Sequence, residues 1–208
     1  MKIGIIGAGN VGRALAEASV RAGHAVTITS TDPAETDATA RAVGASAVGS
    51  NEEAVESADI TILAVPASVV VDLVTSLGDA LNGKTIVDVT NRPTPDPSRD
   101  ACTSSAEEIQ AAAPNARVIK ALNTVFAARQ AESTLAGQQA DGYVAGDDEE
   151  AKRVVLEFVE SIDLRPFDVG PLATARTLEG MGWIHISLAM QHRWSWQTAW
   201  KLVGPTTQ

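Results

Sequence analysis

Cysteine is nearly missing from this chain: Cys102 is the only one in 208 residues. An internal disulfide is therefore excluded, and the usage fits a reducing compartment. Positive charge is also scarce, with 16 Lys and Arg against 26 Asp and Glu and a formal net charge of -10. A nucleic acid or an anionic membrane surface is a poor partner for such a chain. No apolar run approaches membrane-spanning length, and residues 1–12 carry no basic leader ahead of a long apolar core. A soluble cytoplasmic protein is expected. There is no internal repeat, no low-complexity segment, and no His/Cys/Asp/Glu spacing that predicts a metal. The three histidines, His24, His185 and His192, read as structural or helix-end residues.

What is present begins at the first residue. Lys2-Ile3-Gly4-Ile5-Ile6 is a short strand-like run, and it flows into Gly7-Ala8-Gly9-Asn10-Val11-Gly12, followed by a helix-like stretch to Ala22. A G-x-G-x-x-G loop between a strand and a helix has a physical division of labour. Gly7 permits the tight turn, Gly9 leaves room for a pyrophosphate, and Gly12 lets helix and strand approach closely. The helix start offers unpaired N–H groups and a partial positive charge to the phosphates.

Strand-like and helix-like stretches then alternate, which predicts an α/β, Rossmann-like doubly wound fold with a mainly parallel sheet. Expected strands include Ala25 to Thr29, the apolar run Ile60 to Val65, Thr85 to Val89 and Val118 to Leu122, with Tyr143 to Ala145 and Leu164 to Val169 later. Capping-box spacing marks helix starts at Asp32/Glu35, Ser50/Glu53, Ser104/Glu107 and Asp147/Glu150. Pro93, Pro95 and Pro97 predict a loop over 91–103. Residues 1–170 are expected to form the dinucleotide-binding domain. Residues 171–208 are expected to form a helical extension packed on it or on a partner subunit. Everything from Leu172 onward reads as helix, so Trp196 and Trp200 should share a helical face.

The tip of the second strand bears on the choice of dinucleotide. An NAD site usually carries an acid there, whereas this chain has Thr29-Ser30-Thr31. Asp32 is either a late ribose-binding acid or a helix N-cap. Pro33 and Glu35 behind it favour the cap, and with it NADP. Val65, Pro66 and Asn91 stand at strand C-terminal ends, where open parallel sheets bind ligands.

Further motifs carry a resemblance over Met1 to about Met190. They are Gly23-His24, Ala58-Asp59-Ile60, Ala121-Leu122-Asn123-Thr124 with Ala127-Ala128-Arg129, and Ala145 to Lys152 with Leu164 to Leu172. In these the chain resembles the 8-hydroxy-5-deazaflavin:NADPH oxidoreductases, the coenzyme F420-dependent NADP reductases, and their wider group. The same domain is similar to the cytoplasmic domain of membrane metalloreductases. The resemblance implies a homodimer, with NADP(H) along Gly9 to Gly12 and at Ser30 and Thr31. It places the nicotinamide over a pocket near Pro66, Asn123 and Ala127, with Asn123 and Phe126 facing the acceptor. Thr31 stands where the family has a phosphate-binding arginine, Asn123 where it has a histidine, and Phe126 where it has a proline. Hydride exchange with a stacked deazaflavin is the implied activity. Reduction of a flavin, quinone or imine, and a non-catalytic NADP(H)-binding module, remain alternatives, and no catalytic side chain is singled out.

Overall fold

A computed structural model describes residues 1–92, 103–135 and 137–204. Cys102 and most of the proline loop expected over 91–103 lie outside these residues. Among the described residues the chain runs β1 (Lys2–Ile6), α1 (Asn10–Arg21), β2 (Ala25–Thr29), α2 (Pro33–Val43), β3 (Ser46–Ala47), α3 (Asn51–Glu56), β4 (Ile60–Leu63), α4 (Val70–Leu77) and β5 (Thr85–Asp88). It continues with α5 (Ser105–Ala112), β6 (Arg117–Ala121), α6 (Ala127–Ala131), the short hairpin β7 (Thr134–Leu135) and β8 (Gln138–Gln139), β9 (Asp141–Gly146), α7 (Glu149–Ser161), β10 (Arg165–Asp168) and α8 (Ala175–His192).

The main sheet has the order β10-β9-β6-β5-β4-β1-β2-β3. From β3 to β6 every neighbouring pair is parallel, as the alternating pattern predicts. β9 then pairs antiparallel to β6, and β10 parallel to β9, so these two strands run against the rest. Ile5 lies between Ile28 and Ile62 in register, and all three are fully buried. Both faces of the sheet are covered. One core gathers Ile3, Ile5 and Ile62 with Leu15 of α1 and Val155 and Phe158 of α7. The other gathers Ile6, Leu63 and Ile86 with Val55 of α3, Val74 of α4 and Ile109 of α5. Continuous apolar strands such as Ile60-Thr61-Ile62-Leu63 are what two covered faces require.

The helix starts follow local chemistry. Asp32 Oδ1 accepts from the backbone N–H groups of Ala34 and Glu35, at 2.9 and 3.2 Å, so the cap reading of Asp32 is the observed one. Ser104 and Glu107 form a complete capping box. A hydrogen bond from Arg176 holds the Glu107 carboxyl down at about 2, against the pull of burial, and so ties α8 to α5. The start of α7 differs from expectation. Asp148, not Asp147, accepts from Ala151 N–H, while Asp147 turns outward to accept from Leu172 N–H at 2.9 Å. The helix expected from Leu172 onward ends at His192. Arg193 adopts φ 53, and residues 194–204 form an irregular strap folded back on the domain. Trp196 and Trp200 therefore share no helix.

A buried charge cluster fixes α8. Asp88 and Lys120 are register partners on β5 and β6, and neither side chain is exposed. Lys120 Nζ donates to Asp88 Oδ2 at 2.8 Å, to the Thr90 carbonyl at 2.6 Å and to Glu179 Oε1 of α8 at 3.0 Å. Glu179 also accepts from Ser105 N–H at the start of α5. Removing one partner of a buried pair leaves a charge uncompensated, which costs about 3–5 kcal/mol. Lys120→Met is accordingly expected to lose stability on that scale in urea denaturation. A loss under about 1 kcal/mol would show the cluster to be well solvated in solution.

Candidate functional site

The C-terminal ends of β1, β4, β5 and β6 meet along one edge of the sheet, and the loops that leave them carry most of the residues singled out in the sequence. At β1 the glycines behave as three different constraints. Gly7 has φ 117, and a Cβ there would collide with the Ala64 carbonyl oxygen at the end of β4. A Cβ on Gly12 would collide with the Gly7 carbonyl oxygen. Both glycines exist so that α1 can sit against the β1–β4 edge. Gly9 is the opposite case, since a Cβ there meets nothing within 4 Å. The space over Gly9 is open and lies at the N-cap of α1.

That helix start is bare. Gly9 supplies no side-chain cap, and the first turn holds no acid. By contrast α2, α3, α5 and α7 all have Asp or Ser caps bonded to their first N–H groups. Exposed Asn10 and half-buried Val11 complete a turn of unpaired donors facing open space, which fits a pyrophosphate. At the tip of β2 the Ser30 hydroxyl lies 2.8 Å from Thr36 Oγ1 and accepts from Asp32 N–H, so it is used within the turn. Thr31 is exposed. The exposed carboxylate of Asp32 stands beside it, occupied with its cap.

At β4 the chain leaves the sheet through half-buried Val65 and exposed Pro66. At β5 and β6 the two asparagines are joined. Asn91 Nδ2 donates to the Asn123 carbonyl at 2.6 Å, and Asn123 Nδ2 donates to Asn91 Oδ1 at 2.9 Å and to the Leu178 carbonyl of α8 at 2.9 Å. Asn123 is 6% exposed, so its amide holds β5, β6 and α8 together. The residue before it is strained. Leu122 is fully buried with φ 63, a region that an aliphatic L-residue rarely occupies and that clusters at functional sites. The Gln130 amide and Val125 N–H both donate to the Leu122 carbonyl, which fixes this turn.

Beyond Asn123 the chain enters an aromatic corner. Phe126 stacks on His185 of α8 with ring centroids 3.9 Å apart, and Trp196 of the strap meets Phe126 edge-on at 5.0 Å. His185 bridges the Thr124 carbonyl at 3.3 Å and Thr198 Oγ1 at 2.8 Å. With Thr124 as acceptor, Nδ1 carries the proton and Nε2 accepts from Thr198. Burial lowers the pKa of this imidazole below its ordinary 6.5, with the Thr124 carbonyl opposing. Ala127 follows Phe126 as the first residue of α6, which packs against α1.

Sequence reasoning placed the glycine loop and the asparagines at this edge. It missed the buried Lys120–Asp88–Glu179 cluster, the strain at Leu122 and the aromatic corner. The first had a visible signal, because opposite charges interrupt two successive apolar strands at the same depth.

Against this geometry stand the known proteins. The family described as NADP oxidoreductase, coenzyme F420-dependent, matches residues 2–92. An F420-dependent NADP reductase of Methanocaldococcus jannaschii is 28% identical over 163 residues, covering 74% of this chain and 72% of that one. Over these residues the chain is similar to NADP-dependent oxidoreductases of this family. The metalloreductase STEAP3 of Rattus norvegicus is 35% identical over 181 residues and 86% of the present chain, which spans only 36% of that protein's length. A solved structure from Arthrobacter sp. FB24, provisionally assigned as an F420-dependent NADP reductase, superposes with a TM-score of 0.82 at 28% identity. That match covers 93% of this chain and 95% of the other.

The contrast between two glycines yields a test. Gly9→Val should keep the stability of the fold but lose dinucleotide binding by 100-fold or more, on the order expected for filling the pyrophosphate space. Gly12→Val should instead lower the melting temperature, because backbone blocks its side chain. Calorimetry paired with fluorescence titration reads both, and retained NADPH affinity in folded Gly9→Val would refute the cradle.

Proposed function

We propose that this protein exchanges hydride between NADP(H) and a planar acceptor of the deazaflavin class, held along the β4–β5–β6 edge. One observation carries the dinucleotide half of this reading. It is the open space at Gly9 over a helix start with no cap and no acid. When bound, NADPH supplies the hydride from its nicotinamide ring. Gly7, Gly9, Asn10, Val11 and Gly12 would hold the pyrophosphate, and Ser30 and Thr31 would flank the 2′-phosphate. Val65, Pro66, Asn91 and Ala127 would border the nicotinamide.

The protein's own contribution is placement. Hydride transfer between two stacked rings depends on distance, orientation and exclusion of water more than on a side-chain acid or base. The joined Asn91–Asn123 pair and the strained Leu122 turn provide a rigid floor for that purpose. Asn123 and Phe126 are proposed to face the acceptor. The rest of the Asn123 amide is committed to α8, so this residue couples the acceptor side of the site to the C-terminal helix.

A homodimer is part of the reading. Ile184 and Met190 on α8, with Leu202 and Val203 of the strap, expose 52%, 64%, 52% and 82% of their surface. Apolar exposure of this kind on one end of a chain fits a second copy. Sedimentation equilibrium is expected to show twice the 21.6 kDa chain mass, and Ile184→Lys to yield monomer.

NADPH should bind more tightly than NADH by about tenfold, the value of one added phosphate hydrogen bond to Thr31 or backbone. Asn123→Ala should lower kcat/KM for the preferred acceptor while keeping the NADPH affinity within about twofold. It should also lose roughly 1–3 kcal/mol of stability, since Asn91 and the Leu178 carbonyl lose a buried partner. Fluorescence titration and NADPH consumption with deazaflavin, flavin, quinone and imine acceptors measure these quantities. Equal affinity for both dinucleotides would point to ribose recognition at Asp32, and binding without turnover of any acceptor would leave a regulatory module.

A further inference from the structure

The strap at 194–202 is held by far more than an irregular terminal segment needs. Asp141, fully buried at the start of β9, is its anchor. One oxygen of Asp141 accepts from Leu202 N–H at 2.6 Å, and the other accepts from Lys201 Nζ at 3.2 Å. Asp141 N–H in turn donates to the Trp200 carbonyl at 3.1 Å. Arg165 forks onto both Asp141 oxygens at 2.8 and 2.9 Å and donates to the Leu202 carbonyl at 2.6 Å. Burial alone would raise the Asp141 pKa, but the Arg165, Leu202 and Lys201 hydrogen bonds outweigh it and hold the carboxyl below its ordinary value. Farther up the strap, Gln197 accepts from Arg129, and Thr198 pairs with His185.

So firm an attachment fixes the position of what the strap carries. Trp196 keeps 49% of its surface exposed while its ring meets Phe126, three residues beyond Asn123. A large aromatic ring held half-open on a pinned segment loses little entropy when a ligand stacks on it. A second observation at the same corner also points to a ligand. Asn123 Oδ1, Thr124 Oγ1 and Trp200 Nε1 are buried and have no hydrogen-bond partner among the described residues. Buried polar atoms are nearly always paired, and leaving three without partners is a cost that a ligand bonded to them relieves. Together they offer an acceptor, a hydroxyl and an N–H donor. The polar edge of a planar heteroaromatic ring, with its alternating carbonyl and N–H groups, matches that set.

We propose that the strap forms one fixed wall of the acceptor pocket, with Trp196 as the residue that selects a planar tricyclic acceptor. The inference rests on the reading of the β4–β5–β6 edge as a hydride-transfer site and adds the class-selecting contact. No step beyond that hydride transfer is invoked. Trp196 acts by stacking, and Asp141 is a positioning residue that acts through the strap.

The test uses the full chain with saturating NADPH and two kinds of acceptor, 8-hydroxy-5-deazaflavin or FMN as the tricycle and 1-pyrroline as a small imine. Trp196→Ala is expected to raise the tricycle KM about tenfold, the scale of one lost aromatic stack. Trp196→Phe should restore it to within about threefold, and NADPH affinity and any 1-pyrroline turnover should stay unchanged. If Trp196→Ala fails to fold, quenching of tryptophan emission by FMN is compared between the unaltered protein and Trp196→Phe, and a weaker quench in the variant is expected. An unchanged tricycle KM in folded Trp196→Ala overturns the inference while leaving the hydride-transfer reading intact. So does a variant whose only change is a shift from dimer to monomer. An unaltered protein that oxidises NADPH with 1-pyrroline and with no tricycle overturns both.

Discussion

A lysine side chain with no exposed surface, placed inside a mainly parallel sheet, obliges much of the surrounding structure. Charge at that depth must be met by opposite charge and by hydrogen bonds to every proton. Lys120 finds Asp88 in register on the next strand, the Thr90 carbonyl where β5 ends, and Glu179 on α8. The third partner comes from the far end of the chain, so neutralising Lys120 also sets where α8 lies. Once Glu179 is docked, the Leu178 carbonyl beside it meets Asn123, and His185 two turns later meets Phe126. The strap then follows from the position of His185 through Thr198. The arrangement of Asn123, Phe126 and the strap thus descends from a charge buried three residues before Asn123.

The glycine-loop side answers to a different constraint, which is backbone proximity. Gly7 and Gly12 allow β1, β4 and α1 to approach so closely that no side chain fits between them. That approach directs the bare first turn of α1 at the open volume above Gly9. The close approach at Gly7 and Gly12 involves no residue of α8. The two parts of this edge are shaped by different interactions. Close packing without side chains shapes one half, and a buried charge network shapes the other. They meet at the β4–β5 edge, where Val65 and Asn91 leave the sheet.

Much was legible in the sequence for local reasons. The glycine loop, the strands that are apolar on both faces and the Asp32, Ser50 and Ser104 caps each depend on residues a few positions apart, so spacing alone reveals them. The misreadings have equally local causes. Asp147 has the capping-box spacing, with Glu150 three residues on, but its carboxylate accepts from Leu172 N–H and leaves the cap to Asp148. The tail from Trp194 is apolar enough to read as helix. It is drawn out instead by Asp141 and Arg165, more than 30 residues earlier, whose hydrogen bonds to residues 200–202 outweigh helix propensity.

By itself, the sequence determined the doubly wound architecture, the place of the glycine loop and most of the helix starts. These follow from hydrophobic period, glycine sterics and capping, which act over short stretches of chain. The tertiary structure alone decided that β9 and β10 run against the other strands, that Asn91 and Asn123 bond to each other, and that Leu122 is held at positive φ. It alone decided, too, that a strap from the last residues closes over Phe126. Each of these results from pairing between groups far apart in sequence, and the burial that makes such pairing obligatory exists only once the chain has folded.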